Sequence, residues 1–133
     1  RKKILIVDDD VQMGRVLQEV LLAAGHEVLT AASGCKALKL LAQHGPDIGL
    51  VVLDWQMPGM DGRQLYKILT ERAAEVLILI STGFSREEAL AGLRFDPRDG
   101  YLQKPYSHAA LLEAIEHLVG RKLESPVEPP TEQ

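Results

Sequence analysis

The chain has 133 residues, of which 46% are apolar and 26% are charged. This length and composition are typical of one globular domain with a hydrophobic core. The net charge of −4 argues against sequence-independent binding to DNA, which requires clustered Lys and Arg side chains. We therefore predict a single globular domain with no direct nucleic acid binding.

Cysteine content and hydropathy bear on where the protein is found. Cys35 is the only cysteine, so no disulfide can form within the chain, and this favours a reducing compartment. No apolar stretch approaches the roughly 18 residues of a membrane-spanning helix, and the first short apolar run leads directly into three aspartates, unlike a signal peptide. We therefore predict a cytoplasmic location and no membrane insertion of this segment.

Five short apolar runs alternate along the chain with segments of helical periodicity. The runs lack the polar alternation of half-exposed strands, so they predict strands that are buried on both faces. They lie at residues 4–7, 28–31, 48–53, 76–80 and 101–103. We therefore predict a doubly wound α/β fold, in which helices cover both faces of a parallel five-stranded sheet.

The segments between and after these runs predict five helices. Glycine after the last periodic residue marks a helix end, whereas Asp or Ser before the first one marks a helix cap. The predicted ends are Gly25, Gly45-Pro46 and Gly120 for the first, second and fifth helices, and the predicted caps are Asp61, Ser85 and Ser107 for the third, fourth and fifth.

The last residues differ in composition from the rest of the chain. Residues 122–133 are rich in Pro and Glu and almost without apolar side chains. Such a segment cannot bury enough apolar surface to offset the entropy lost on ordering. We therefore predict one domain at residues 1–121, followed by a flexible tail or linker at residues 122–133.

Charged and polar side chains stand where four of the apolar runs end. They are Asp8 and Asp9 after the first run, Asp54 after the third, Thr82 after the fourth and Lys104 after the fifth. Because the carboxyl ends of parallel strands share one edge of the sheet, these side chains should converge. Three carboxylates in one pocket repel each other unless cations offset them. An oxygen-only ligand set without nearby His or Cys favours Mg²⁺, with Mn²⁺ as the alternative.

Four motifs occur in a characteristic order along the chain. They are Ile-Leu-Ile-Val-Asp8-Asp9, Asp54-Trp-Gln-Met-Pro-Gly-Met-Asp-Gly, Ser81-Thr82-Gly83 and Tyr101-Leu-Gln-Lys104-Pro105. Jointly they resemble the receiver domains of response regulators in two-component phosphorelays, over about residues 3 to 121. The resemblance implies a flavodoxin-like (βα)5 fold with sheet order 2-1-3-4-5, usually with a cis peptide bond before Pro105.

The resemblance also implies the chemistry of the site. Asp54 would accept a phosphoryl group from a phosphohistidine on a histidine kinase or a histidine phosphotransfer domain. Mg²⁺ would be held by the side chains of Asp9 and Asp54, by the backbone carbonyl of Gln56 and through water by Asp8, while Lys104 would contact the phosphoryl oxygens. The isolated domain would then be no enzyme beyond its own phosphorylation and slow hydrolysis.

A conformational switch follows from the same resemblance. The Thr82 hydroxyl would bond the new phosphoryl oxygens, and Tyr101 would rotate inward, which changes the face formed by the fourth helix, fifth strand and fifth helix. Gly83 would keep the site open to donors and water. Gln56 and Phe84 would tune the lifetime of the acyl phosphate, and because neither is a strong base we expect slow hydrolysis.

Two other functions fit parts of the sequence. The run Asp8-Asp9-Asp10 superficially supplies the Asp-x-Asp pattern of haloacid-dehalogenase-like phosphatases, with Asp8 as nucleophile. Gln12 stands where that family has Thr or Val, and no acidic pair follows Lys104. A pseudo-receiver, which is a binding module that is not phosphorylated, is the second alternative. Taken alone, the aspartate run could also be a helix cap and turn.

The molecular context of the domain is a separate question. The text Thr82-Gly83-Phe84-Ser85 resembles receivers attached to hybrid sensor histidine kinases. A stand-alone receiver and the receiver half of a transcription regulator are the alternatives. The output partner and the cognate kinase are unknown from these residues.

Overall fold

The computed structural model describes residues 2–124, in which strands and helices alternate throughout. The elements are β1 (Lys3–Val7), α1 (Val11–Ala23), β2 (Val28–Ala31), α2 (Gly34–His44), β3 (Ile48–Asp54), α3 (Gly62–Arg72), β4 (Leu77–Thr82), α4 (Arg86–Leu90), β5 (Gly100–Gln103) and α5 (His108–Glu124). Within these residues, no helix combines the length and apolar character that crossing a bilayer requires.

The five strands form one parallel sheet in the order β2-β1-β3-β4-β5. This confirms the predicted fold class and strand order. The carboxyl ends of β1, β3 and β4 are neighbours in the middle of the sheet, and Asp54 on β3 is the register partner of Ser81 on β4. The polar residues at these strand ends therefore lie on one edge.

Each face of the sheet is covered by its own set of helices. Successive side chains of a strand point to opposite faces, so Leu5 and Val7 belong to one cluster while Ile4 and Ile6 belong to the other. The first cluster includes apolar side chains of α2, α3 and α4, and the second includes those of α1 and α5. Both faces are thus buried, as the apolar runs predicted.

Local sequence signals set most of the helix starts. Asp61 and Ser85 both form capping boxes at α3 and α4, and the Ser107 hydroxyl accepts a hydrogen bond from the Ala110 N–H at the start of α5. Asp10 caps α1 by accepting from the N–H groups of residues 12 and 13. The three predicted caps are confirmed.

Two predicted boundaries are wrong by more than one residue. Strand β4 continues through Thr82 instead of ending at Ile80, because its last residues pair with Asp54 and Gln103 on the neighbouring strands. Helix α5 continues past Gly120 to Glu124. A helical glycine costs only about 1 kcal/mol relative to alanine, and the residues that follow favour helix. Residues 125–133 of the predicted tail lie outside the described residues.

The connection between α4 and β5 is anchored by a buried tyrosine. The Tyr66 hydroxyl donates to Asp99 Oδ2 at 2.7 Å and accepts from the Asp96 N–H at 3.0 Å. Asp99 Oδ1 accepts from the Ile78 N–H at 2.8 Å, which ties the connection to β4. Tyr66 is 1% exposed and also stacks on Phe95. One hydroxyl on α3 therefore fixes both ends of the segment 96–99.

Replacing Tyr66 by Phe should lower the free energy of unfolding by about 1–3 kcal/mol, because Asp99 Oδ2 and the Asp96 N–H lose their partner in a buried place. Urea unfolding followed by circular dichroism measures this. Thr70→Ala is the control, because the Thr70 hydroxyl bonds the Lys67 carbonyl where water has access. Equal stability of Tyr66→Phe and the wild type would contradict the anchoring role.

Candidate functional site

Three carboxylates meet at the edge where β1 and β3 end. Asp8 directly follows β1, and Asp54 is the last residue of the adjacent strand β3. One carboxylate oxygen from each of Asp8, Asp9 and Asp54 lies within 4.8 Å of the other two. Asp8 and Asp54 are 5% and 6% exposed, while Asp9 faces solvent. The predicted convergence of these three side chains is therefore what the structure shows.

The aspartate run divides its work between the cap and the cluster. Asp10 caps α1, and its N–H donates to Asp8 Oδ1 at 2.9 Å. The cap and turn interpretation of the run therefore holds for Asp10. It does not compete with the cluster interpretation, because Asp8 and Asp9 remain at the site.

Lys104 reaches the cluster from the end of β5. Its Nζ lies 3.3 Å from Asp8 Oδ2 and 3.5 Å from Asp54 Oδ1. Its backbone N–H donates to the Thr82 carbonyl at 2.7 Å, and the Lys104–Pro105 peptide bond is cis, as the sequence resemblance implied. Burial lowers the pKa of Lys104, but the Asp54 and Asp8 carboxylates outweigh it and hold this pKa above its usual value. Lys104 therefore stays protonated and positively charged at neutral pH.

The environment of Asp54 disfavours its ionised form. Burial, together with the charge of Asp8, raises the pKa of Asp54 from 3.8 to about 6, although Lys104 and the Gln56 N–H act in the opposite direction. That N–H lies 3.3 Å from Asp54 Oδ1. The positive charge of Lys104 therefore does not offset the effects of burial and of the neighbouring carboxylates on the pKa of Asp54. With a pKa of about 6, Asp54 is still mostly ionised at neutral pH.

Gly62 holds the loop after Asp54 in place. The Gly62 N–H donates to the Trp55 carbonyl, and a Cβ at this position would lie 2.1 Å from the Asp54 carbonyl oxygen. Only glycine permits so close an approach between the start of α3 and the peptide of Asp54. The packing of the start of α3 against the Asp54 peptide therefore requires glycine at position 62.

Thr82 ends β4 beside the cluster, but its hydroxyl is engaged elsewhere. Thr82 is fully buried, and its Oγ1 accepts from the Phe84 N–H at 3.2 Å. Gly83 and Phe84 are exposed, and a Cβ on Gly83 would meet nothing within 4 Å. The structure therefore places Thr82 at the predicted edge, with its hydroxyl hydrogen-bonded to the loop that follows.

Tyr101 lies on the outer part of β5. Its hydroxyl donates to the Phe84 carbonyl, and its ring lies 5.8 Å from the guanidinium of Arg86. Arg86 also lies 5.5 Å from the ring of Phe95. Tyr101 thus contacts the start of α4 and the loop that follows Thr82.

The sequence interpretation missed two donors that hold α4. Trp55 Nε1 donates to the Ala89 carbonyl at 3.0 Å, and Arg63 donates to the carbonyls of Ala89 and Ala91. Helix α4 spans only Arg86–Leu90, so its last carbonyls need partners from outside the helix. A buried indole N–H usually has an acceptor, so Trp55 itself was a signal of such a bond, although its partner could not be named from the sequence.

The residues of the cluster fit a hard divalent cation. The three side chains offer only oxygen atoms at close range, and their carboxylates outnumber the one ammonium, that of Lys104, which contacts two of them. The peptide of Gln56 adjoins the cluster through its N–H bond to Asp54. Asp8, Asp9 and Asp54 are therefore the side chains suited to hold a divalent cation.

Without added metal, Asp54→Asn should be more stable than the wild type at pH 7. Because the folded pKa of Asp54 lies above 3.8, its contribution to stability is complete below pH 3.8 and is lost as pH rises through about 6. The advantage of the variant should be about 1–3 kcal/mol at pH 7 and fall toward zero near pH 4, as measured by urea unfolding.

Asp47→Asn, at an exposed carboxylate, is the control for this measurement and should change stability by less than about 0.5 kcal/mol. Addition of Mg²⁺ should stabilise the wild type more than Asp54→Asn. A difference between Asp54→Asn and the wild type that does not vary with pH would contradict the strained carboxylate.

Known proteins resemble this chain in both sequence and fold. The family described as the response regulator receiver domain matches residues 4–116. The response regulator protein FleR of Pseudomonas aeruginosa is 35% identical over 121 residues, which are 90% of this chain and 25% of FleR. The chemotaxis protein CheY homolog of Campylobacter jejuni is 32% identical over 122 residues, which are 89% of this chain and 92% of that protein.

A solved structure extends the comparison to three dimensions. The crystal structure of response regulator protein TrrA from Thermotoga maritima, in complex with Mg²⁺ and BeF, has a TM-score of 0.75 and 28% identity. The alignment covers 89% of this chain and 99% of TrrA. The chain thus spans a quarter of the length of FleR and nearly all of the length of the CheY homolog and of TrrA. It belongs to the response regulator receiver domain family of two-component signalling.

Proposed function

We propose that this receiver domain is a phosphoacceptor switch in which Asp54 takes a phosphoryl group from a phosphohistidine. The observation that carries the proposal is the contact of Lys104 Nζ with Asp54 Oδ1 at 3.5 Å, inside a cluster of three carboxylates. A single cation shared by Asp54 and Asp8 is well placed to contact the oxygens of a group bound to Asp54.

In the transfer step, an oxygen of ionised Asp54 attacks phosphorus while the bond between phosphorus and the donor imidazole breaks. A pKa of about 6 leaves Asp54 predominantly ionised at pH 7. Lys104 supplies a point charge to the transferring oxygens. Mg²⁺ or Mn²⁺ would be held by the side chains of Asp9 and Asp54, by the Gln56 backbone carbonyl and through water by Asp8, and would supply the remaining positive charge. Catalysis consists of positioning and electrostatics, and the domain is otherwise no enzyme.

The signal then passes to the loop after β4. The Thr82 hydroxyl uses its oxygen to accept from Phe84, which leaves its proton available for a phosphoryl oxygen. Movement of this loop also moves the Phe84 carbonyl, which is the acceptor of the Tyr101 hydroxyl. That hydrogen bond and the contact with Arg86 together stabilise the outward tyrosine by about 2 kcal/mol. Phosphorylation can shift a balance of this size, so that Tyr101 turns inward and the face of α4, β5 and α5 changes.

The partners of the proposed switch follow from its chemistry. The donor is a histidine kinase or a histidine phosphotransfer domain, and the reader of the α4-β5-α5 face is an unidentified output partner or domain. Gly83 leaves the site accessible, while Gln56 and Phe84 are exposed beside it and affect how long the acyl phosphate survives. Attachment to a hybrid histidine kinase and a cytoplasmic location remain predictions from the sequence.

The phosphatase alternative requires Asp8 as the nucleophile and is weaker, because Gln12 stands where that family has Thr or Val. The pseudo-receiver alternative does not require the contacts of Lys104 with two carboxylates, which the structure maintains. Both alternatives are decided by the location of a label.

With acetyl phosphate and Mg²⁺, the wild type should gain one phosphoryl group, and Asp54→Asn should gain none while remaining folded. The reason is that an amide cannot act as the nucleophile. Intact mass spectrometry counts the groups, and peptide mapping after borohydride reduction locates them. A label on Asp8 would support the phosphatase, and no label together with no response to beryllofluoride would support the pseudo-receiver. Removal of Mg²⁺ with chelator should abolish labelling.

Thr82→Ala should still be phosphorylated but should reduce the response of Tyr101, because the hydroxyl that connects the phosphoryl group to the Phe84 loop is missing. NMR spectra of ring-labelled tyrosine, with and without beryllofluoride, measure the response. Thr70→Ala removes a hydroxyl on α3 and should respond like the wild type. A full tyrosine response in Thr82→Ala would refute the proposed coupling.

A further inference from the structure

A pair of hydroxyl groups links β4 to the turn that follows Lys104. Ser81 Oγ and Tyr106 Oη are 2.8 Å apart. Ser81 precedes Thr82 and is the register partner of Asp54, so it adjoins two residues of the proposed site. Tyr106 lies two residues after Lys104, in the connection from β5 to α5. The hydrogen bond therefore joins the strand beside Asp54 to the turn that carries Lys104.

This hydroxyl pair is sheltered and lies close to the charges of the site. Ser81 is 2% exposed, and the Tyr106 ring packs against the apolar cluster beneath α1 and α5. Burial raises the pKa of Tyr106, which therefore stays a neutral hydroxyl. Lys104, Asp8 and Asp54 all act electrostatically on this hydroxyl. The pair is thus a neighbour of the carboxylate cluster as well as part of the core.

Lys104 stands between two attachments to the same strand. On one side its own N–H donates to the Thr82 carbonyl at 2.7 Å, and on the other side Tyr106 contacts Ser81. A lysine side chain has four flexible carbons, so the position of its ammonium depends on how firmly its backbone is held. Two attachments to β4 restrict that backbone and keep Nζ within reach of both Asp8 and Asp54.

We propose that Tyr106, bound to Ser81, is a positioning residue that holds the Lys104 ammonium in place for phosphoryl transfer to Asp54. The inference rests on the proposed function, because Lys104 has this role only if Asp54 is the acceptor. Neither hydroxyl contacts the transferred group. Their effect is on where Lys104 can reach, which separates the proposal from a purely structural role.

The test uses Tyr106→Phe, Ser81→Ala and the double variant of the full chain, with beryllofluoride as the probe. Calorimetric titration gives the affinity for Mg²⁺ alone and then for beryllofluoride at saturating Mg²⁺. Each single variant should bind beryllofluoride about 5–10-fold more weakly, a loss within the limit that the energy of one neutral hydrogen bond sets. The double variant should be no worse than the weaker single variant, because both remove the same bond. Affinity for Mg²⁺ should not fall, because its proposed ligands belong to other elements.

Two further measurements separate positioning from stability. In the Lys104→Ala background, Tyr106→Phe should cause no additional loss of beryllofluoride affinity. In metal-free protein, urea unfolding of the wild type, Tyr106→Phe, Ser81→Ala and the double variant should show that Ser81 and Tyr106 are energetically coupled. Tyr66→Phe is the matched control, because it loses a buried tyrosine hydroxyl on the opposite face and should keep the affinity for beryllofluoride.

The outcomes distinguish the inference from the function beneath it. If the wild type does not bind beryllofluoride, both are wrong. If the wild type binds it, three results each overturn the inference alone: unchanged affinity in Tyr106→Phe, equal losses for Mg²⁺ and beryllofluoride, or an undiminished effect of Tyr106→Phe without Lys104. The expected pattern of weaker beryllofluoride binding through Lys104 supports Tyr106 as a positioning residue.

Discussion

The mutual repulsion of three carboxylates at one edge of the sheet is the constraint on which the site depends. Asp8 and Asp54 are almost fully buried at the ends of adjacent strands, and Lys104 is the cation that the structure places between them. Burial, followed by the charges of Asp8 and Asp9, raises the pKa of Asp54 even though Lys104 lowers it, so one ammonium does not offset these effects. A site in this condition favours binding of a divalent cation and is sensitive to any change of charge on Asp54.

Several contacts connect this edge to the rest of the molecule. Gly62 allows α3 to begin against the peptide of Asp54. Trp55, which follows Asp54 in the chain, donates to a carbonyl of α4. On the other side, Thr82 and the turn after Lys104 are joined by a backbone bond and by the hydroxyl pair of Ser81 and Tyr106. Helix α4 and strand β5 are thus attached by hydrogen bonds to residues next to Asp54 in the chain or in the sheet, and these contacts would carry the proposed switch.

Much of this arrangement could be predicted from residue types that act locally. Apolar runs identified all five strands, and the caps at Asp61, Ser85 and Ser107 depend on hydrogen bonds within one helical turn. The two errors have different causes. β4 is longer because its partners continue to pair with it, and α5 passes through Gly120 although that glycine resembles a helix end.

The sequence by itself determined the fold class and the resemblance to receiver domains. It also determined that Asp8, Asp9, Asp54 and Lys104 converge, because parallel strands bring their carboxyl ends to one edge. Only the tertiary structure decided which polar atoms pair across that edge. The partners of Trp55, Tyr66 and Tyr106 lie 34, 33 and 25 residues away along the chain. Hydrogen bonds over such separations depend on how helices pack on the sheet, and no local pattern of residues encodes that packing.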